Sequence, residues 1–119
     1  MRLYVVSLAL LALAEAAQAQ AMTEAQRQAA SEVFKYFDCG IKESLIYAIQ
    51  LQNETPENIV IASAMKCKAH YAHARTALRN NFTSAEIPGL LSNVDDQFKQ
   101  NVIANVLDTR ATIVRSKGK

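Results

Sequence analysis

The sequence has little of the residues that end or break helices. Its 119 residues include three glycines and two prolines, and it has no tryptophan, whereas alanine is abundant. Alanine is the best helix former and glycine and proline are the poorest, so this balance favours helices. Half of the residues are apolar and a fifth are charged, which is typical of a folded globular domain.

Motifs that carry known chemistry are also missing. The chain has no Gly-rich phosphate loop, no HExxH pattern, no clear Ser/His/Asp arrangement and no obvious pair of carboxylates. With three glycines, backbone cradles for anions are hard to build. The net charge of +2 is too small to indicate a nucleic-acid partner. We therefore predict a protein that is not an enzyme and that carries no cofactor.

The N-terminus has the pattern of a signal peptide. Arg2 precedes an apolar run over residues 3–14, and Ala17-Gln18-Ala19 fits the small-x-small cleavage rule. We predict cleavage after Ala19, or alternatively after Ala21, leaving one domain over residues 20–119. An uncleaved anchor is disfavoured because such a run forms about 18 Å of helix, short of the roughly 30 Å hydrocarbon core.

The residues that flank this run are rich in alanine and glutamine, which is typical of bacterial export signals. We therefore predict a periplasmic or secreted protein that has no stable membrane insertion after cleavage. The other end of the chain, residues 116–119, is basic and is predicted to be a frayed tail.

Two cysteines, Cys39 and Cys67, lie 28 positions apart, and the chain has no others. Their midpoint is Asn53, inside a polar stretch over residues 52–56 that predicts a turn. If both flanks are helical, the cysteines lie level on two antiparallel helices, each about 21 Å from the turn. Because an oxidising compartment favours disulfides, we predict that they form one. Free thiols, a bridge between chains and a redox-active pair are the alternatives.

The first helix is predicted over residues 23–52, with Thr23 and Gln26 as a capping box. Gly40 weakens its interior, because glycine costs about 1 kcal/mol relative to alanine. The pattern fits one continuous helix or two helices that break near Gly40. Cys39 lies off the main apolar face, which predicts a disulfide at an edge of the hairpin or beside a kink. That face comprises Ala29, Ala30, Val33, Phe34, Phe37, Ile41, Leu45 and Ala48.

A second helix is predicted from Pro56 to about Asn81. Thr55 is a good N-cap, Pro56 fits the first helical position, and Glu57 favours the positive end of the helix dipole. Its apolar stripe comprises Val60, Ala64, Cys67, Tyr71, Ala74 and Leu78. Cys67 therefore lies at the centre of the predicted buried side.

The last helix is predicted from Leu90 or Ser92 to Arg115, after a bend at Pro88–Gly89. Its main apolar stripe comprises Leu91, Val94, Phe98, Val102, Val106, Thr109 and Ile113. A second stripe comprises Ile103, Leu107 and Val114. This second stripe is expected either to cover the other side of the hairpin or to mediate a dimer.

The two histidines, His70 and His73, are three positions apart and can face one ligand from a helix. A reduced Cys67 could join them in binding Zn²⁺ or Cu²⁺, but a disulfide at Cys67 would remove its thiolate. Strong zinc patterns need three or four ligands, and the chain has no further histidine. We therefore predict two surface histidines.

Together these patterns predict an all-α fold of three or four helices. A disulfide-stapled antiparallel hairpin is packed against the C-terminal helix. The leading hypothesis is a small exported protein that acts by binding an unknown protein partner or by self-association, without catalysis. The alternative is a periplasmic protein that binds a metal or small ligand through His70 and His73.

Overall fold

The structure, a computed structural model, describes residues 22–118. The predicted signal peptide over residues 1–19, its two alternative cleavage sites and Lys119 lie outside the described residues. Four helices form the described chain: α1 (Glu24–Gln50), α2 (Pro56–Lys66), α3 (Lys68–Asn81) and α4 (Ile87–Lys117). Residues 22–118 contain no strand, so the predicted all-α fold is confirmed. None of these four helices is both long enough and apolar enough to cross a membrane.

Helix α1 packs against the other three helices. The α2–α3 segment returns antiparallel to it after the predicted turn. Helix α2 contacts both α1 and α4, whereas α3 contacts mainly α1. Helix α4 runs parallel to α1, since Phe98 stacks on Tyr36 and Arg110, further along α4, hydrogen-bonds to Leu51 at the end of α1.

Helix α1 is continuous through Gly40. It begins as predicted, with the Thr23 hydroxyl accepting from the Gln26 backbone N–H and the Gln26 side chain accepting from the Thr23 N–H. A Cβ atom at residue 40 would overlap Cε2 of Phe98 and lie 2.8 Å from its Cζ. Gly40 therefore lets α4 approach α1 closely, and does not act as a helix breaker.

The segment predicted as one helix over residues 56–81 is instead two helices, which meet at Cys67 (φ −99°, ψ 12°). The backbone N–H of Cys67 donates to the Ser63 carbonyl, and the Cys67 carbonyl accepts from Tyr71, so no loop separates the two helices. The prediction of a single helix was wrong because the apolar stripe continues across Cys67 and carries no signal for a break.

Cys39 and Cys67 form the predicted disulfide, with their Cα atoms 5.9 Å apart. Cys67 is fully buried, and Cys39 is half-buried at an edge of the hairpin. In the loop-entropy model, closing a loop of this length stabilises the fold by about 3.5 kcal/mol. The bridge also fixes the register of α2 on α1.

Helix α4 begins at Ile87, ahead of the predicted start at Leu90 or Ser92. Pro88 lies in the first turn, where its missing N–H would have no partner within the helix. The Glu86 carboxylate accepts hydrogen bonds from the backbone N–H and the hydroxyl of Thr83. The change of chain direction therefore precedes Pro88, and the predicted bend at Pro88–Gly89 was wrong.

The core confirms much of the predicted stripes and corrects them on α1 and α2. On α2 the predicted Val60 and Ala64 are half-buried, whereas Ile59 and Ser63 are fully buried. Four residues of the main α4 stripe are buried: Val94, Phe98, Val102 and Val106. On α1, Val33 and Phe37 are buried as predicted, but Leu45 is 43% exposed. Ser44, one position earlier, is fully buried in its place. The buried side of α1 therefore shifts toward Ser44 in the second half of the helix.

Candidate functional site

The exposed large apolar side chains among residues 22–118 are unevenly distributed. They all lie within residues 45–65 or 107–114: Leu45, Ile46, Ile49, Leu51, Ile61, Met65, Leu107 and Val114. None lies on α3 or in the first half of α1. Clustered apolar side chains at a protein surface mark interaction sites more often than scattered ones do. The candidate site is therefore on the half of the molecule that contains α2.

Ile46 and Ile49 lie on the outer side of α1. Ser44 marks the inner side, because it is fully buried and its Oγ accepts a 2.9 Å hydrogen bond from Asn105 of α4. Ile46 lies two positions after Ser44, about 160° around the helix at 100° per residue. Ile49 lies about 140° from Ser44 by the same geometry. Both isoleucines therefore point away from α4.

Ile61 and Met65 lie on the outer side of α2. Ile59 and Ser63 are fully buried and mark the inner side of this helix. Ile61 lies two positions after Ile59, about 160° around the helix. Ile61 is 60% exposed and Met65, its neighbour one turn on, is 70% exposed.

The Cys39–Cys67 disulfide sets which residues of α1 and α2 lie level with each other. On antiparallel helices, positions equally far from the bridge are level, so Ile46 lies level with Val60, seven positions from Cys39 and Cys67 respectively. We call the exposed large apolar side chains on the outer sides of these two helices the hairpin face. It comprises Ile46 and Ile49 of α1 and Ile61 and Met65 of α2.

Charges of opposite sign lie at the two ends of the hairpin face. Glu57 lies at the turn end, and Lys66 and Lys68 lie at the disulfide end, all three exposed. Lys42 is also at the disulfide end, but its ammonium lies 2.8 Å from the Asp38 carboxylate. Neither Lys66 nor Lys68 forms an ion pair with another residue among 22–118. The hairpin face is therefore an apolar strip with one acidic and one basic end.

The second predicted stripe of α4 does not cover the hairpin. Leu107 and Val114 are exposed, and Ile103 is half-buried. Arg110 instead reaches the hairpin turn, where its guanidinium donates to the Leu51 carbonyl at 2.7 Å. The expectation that this stripe covers the hairpin was therefore wrong.

The same half of the molecule has a polar layer in its interior. Four buried polar residues form it: Ser44, Ser63, Asn101 and Asn105. Nδ2 of Asn105 donates to the Ile41 carbonyl and to Ser44 Oγ, both at 2.9 Å. The Asn105 Oδ1, the Asn101 Nδ2 and the Ser63 hydroxyl have no partner among residues 22–118. An unpaired buried polar group costs about 1–3 kcal/mol, so this layer stabilises the core less than apolar packing would.

The structure places His70 and His73 in different surroundings, both exposed on α3. His70 borders a surface hollow that also includes Asp38, whereas His73 borders another, beside Glu32. Cys67 is disulfide-bonded and offers no thiolate. Within residues 22–118, no group of three or more His, Cys, Asp or Glu side chains is arranged to hold a metal ion. His70 and His73 therefore lie near different carboxylates, and the two histidines share no third metal ligand.

An aromatic cluster lies on the other side of the disulfide from the hairpin face. The Tyr36 ring stacks on Phe98 at 4.3 Å and meets Tyr71 edge-on at 5.2 Å. Burial, and then the Asp95 carboxylate, raise the pKa of both tyrosines. Burial also raises the pKa of Asp95, although a hydrogen bond from the Tyr71 hydroxyl opposes this. The cluster joins α1, α3 and α4.

No protein-family model, curated protein or solved structure matches this chain. Its function is therefore inferred from its own residues and geometry.

Sequence reasoning missed the hairpin face because it assigned one apolar stripe to each of the first two helices. Ile46, Ile49 and Ile61 lie outside those stripes. The available signal was the end of α1, residues 45–51, in which apolar residues fall on every side of the helix. A helix with apolar residues on every side is expected to be buried on every side, which predicts that another molecule packs against the outer side of α1.

Proposed function

We propose that this chain is a small exported protein, periplasmic or secreted, that acts by binding another protein through the hairpin face and catalyses no reaction. The observation that supports this proposal is the concentration of exposed large apolar side chains within residues 45–65, with none on α3. Leaving apolar area in water is unfavourable by about 25 cal/mol per Å². A partner that covers the hairpin face recovers this free energy.

The hairpin face has the chemical pattern of a protein interface. An apolar centre is bounded by charged residues, Glu57 at one end and Lys68 at the other. Met65 adds a flexible, polarisable side chain that adapts its shape to different partners. Because the face is built on two helices joined by a disulfide, little backbone order is lost on binding.

Export is supported by two independent features. The first is the signal-peptide pattern over residues 1–19. The second is the Cys39–Cys67 disulfide, since such bridges persist in oxidising compartments and are rare in the cytosol.

Site-specific photo-crosslinking in exporting bacteria tests the proposal. A photoreactive phenylalanine analogue replaces Ile61 on the hairpin face or, as the matched control, Thr76, which is exposed on α3. We expect protein adducts from residue 61 and none from residue 76. Equal adducts from both positions, or none from residue 61, would contradict the assignment of the binding surface.

A further inference from the structure

We propose that α2 is a redox-sensitive flap. The Cys39–Cys67 bridge holds it against the rest of the fold, and a dithiol that reduces the bridge at Cys39 lets α2 open while α1, α3 and α4 stay packed. Three observations carry this inference. Helix α2 has few specific contacts of its own, the bridge lies at one end of α2, and the two bridged residues differ in exposure.

Helix α2 is held in the fold by packing alone, apart from the bridge. The side chains of residues 56–66 form no hydrogen bond, ion pair or ring contact with α1 or α4. The buried residues of α2 are Ile59 and Ser63, and the Ser63 hydroxyl has no partner among residues 22–118. Water can bond to this hydroxyl once α2 has opened, so the unpaired group favours the open state.

Helix α3 is held by specific contacts as well as by packing. The Tyr71 ring meets the Tyr36 ring of α1 edge-on at 5.2 Å, and the Tyr71 hydroxyl donates to the Asp95 carboxylate of α4. At the other end of α3, Nε2 of Gln26 donates to the Asn81 carbonyl at 3.4 Å. These contacts do not involve the bridge, so α3 is expected to stay in place when the bridge is broken.

The bridge lies at the end of α2 where the chain changes direction. Cys67 ends α2 and precedes α3, and its backbone angles (φ −99°, ψ 12°) depart from those of a helix. The other end of α2 follows the turn over residues 51–55, where the Arg110 guanidinium holds the Leu51 carbonyl. Without the bridge, the ends of α2 are joined to the fold by the backbone alone.

The two bridged residues differ in accessibility. Cys67 is fully buried, whereas Cys39 is half-buried and lines a surface hollow. The same hollow is lined by Lys35, Asp38, Lys42, Glu43 and His70. Thiol–disulfide exchange requires a thiolate to reach one of the two sulfur atoms directly. Approach through this hollow therefore directs the attack to Sγ of Cys39.

The reductant is a dithiol, such as the paired cysteines of a thiol oxidoreductase. Its thiolate forms a bond to Cys39 Sγ, the Cys39–Cys67 bond breaks, and Cys67 Sγ leaves with the electron pair and takes up a proton. The second thiol of the reductant loses its proton and attacks the mixed disulfide, which releases Cys39 as a thiolate that takes up a proton. The bridge thus gains two electrons, and the dithiol is oxidised to a disulfide.

Amide hydrogen exchange followed by mass spectrometry tests the flap in the exported protein, either oxidised or reduced with dithiothreitol. On reduction, the protection of α2 relative to α4 is expected to fall about tenfold or more, because α2 opens locally. The protection of α3 relative to α4 is expected to change by less than about threefold. Circular dichroism establishes that the reduced protein stays helical.

Ser63→Ala separates the opening of α2 from a general loss of stability. This variant removes the unpaired buried hydroxyl and is expected to slow exchange in α2 of the reduced protein severalfold. Ser31→Ala, at an exposed position on α1, is the matched control and is expected to leave exchange in α2 unchanged. Equal effects of the two variants would contradict the part given to the Ser63 hydroxyl.

Reaction with glutathione tests the site of attack. Free thiols are then trapped with N-ethylmaleimide, and peptide mass spectrometry locates both groups. Glutathione is expected on Cys39 and maleimide on Cys67. Glutathione on Cys67 in equal or greater amount would overturn the assignment of Cys39 as the residue attacked.

Three results would overturn the flap itself. The first is an equal loss of protection in all four helices on reduction, because the bridge would then stabilise the fold only as a whole. The second is unchanged protection of α2 in the reduced protein. The third is unfolding of the whole chain on reduction.

Discussion

The ring of Phe98 occupies the space that a side chain at residue 40 would need. A Cβ atom there would overlap Cε2 of Phe98 and lie 2.8 Å from its Cζ. The ring is held from its other side, because it stacks on Tyr36 with the ring centroids 4.3 Å apart. Gly40 is therefore a packing requirement between α1 and α4.

Gly40→Ala is expected to destabilise the fold although alanine is the better helix former. The gain in helix propensity is about 1 kcal/mol, and the overpacking against Phe98 costs about 1–3 kcal/mol or more. Urea denaturation measures the difference. Gly89→Ala is the matched control, since a Cβ there meets no atom within 4 Å, and it is expected to be neutral or stabilising. A Gly40→Ala variant as stable as Gly89→Ala would contradict the packing of α4 on α1.

The sequence predicted those parts of the fold that depend on local chemistry. The Thr23 and Thr55 caps and the main stripe of α4 follow from helix-capping preferences and apolar periodicity, and all three are confirmed. The disulfide followed from the equal distance of Cys39 and Cys67 from the turn, together with the export signal. It too is confirmed.

Features that depend on contacts between helices were not predictable in this way. The sequence fits either a continuous helix or a break at Gly40, because Phe98, whose ring packs where a side chain at residue 40 would lie, is 58 positions later in the chain. The burial of Ser44 depends on α4, whose Asn105 hydrogen-bonds to the Ser44 hydroxyl, and the break at Cys67 has no local signal in the sequence. The hairpin face was missed because periodicity identifies a buried stripe and does not show whether a second apolar side is covered.

Replacing the two buried asparagines of the polar layer, Asn101 and Asn105, by leucine is expected to change the stability of the fold in opposite directions. Asn101→Leu removes a buried Nδ2 that has no partner among residues 22–118, and is expected to stabilise the fold by about 1 kcal/mol. Asn105→Leu breaks the bonds to Ile41 and Ser44, and is expected to destabilise it by about 1–3 kcal/mol. Chemical denaturation of both variants checks this. The reverse order of stability would contradict the assigned hydrogen bonds.

The stability of the fold is expected to fall in alkaline solution through Tyr36. Burial raises the pKa of its phenol in the folded state above the unfolded value of about 10. The stabilisation is therefore complete below about pH 10 and is lost at higher pH, because the unfolded chain releases the proton more readily.

Urea denaturation at pH values of about 8 and 11 measures this loss, on either side of the ordinary tyrosine pKa. In Tyr36→Phe, stability is expected to fall less between these two pH values than in the wild type. In Tyr47→Phe, which lies outside the aromatic cluster, stability is expected to fall as much as in the wild type. An unchanged pH dependence in Tyr36→Phe would contradict the role given to this phenol.

Saturating Zn²⁺ or Cu²⁺ is expected to leave the melting temperature unchanged, because His70 and His73 share no third ligand. A ligand at one hundred times its dissociation constant stabilises a folded protein by about 2.7 kcal/mol, which would raise the melting temperature by roughly 10 °C or more. A rise in the wild type that is absent from the His70→Ala/His73→Ala double variant would establish a metal site and favour the alternative function.

The central claim is that a bound partner covers the hairpin face. Met65, 70% exposed on that face, reports its accessibility through its rate of oxidation by peroxide. Met22, half-buried at the start of the described chain, serves as the internal control. Peptide mass spectrometry compares the two rates in dilute protein, in concentrated protein and in periplasmic extract.

Covering the hairpin face is predicted to slow oxidation of Met65 severalfold on concentration or in extract, with Met22 unchanged. Oxidation of Met65 at the same rate under all three conditions would contradict the account.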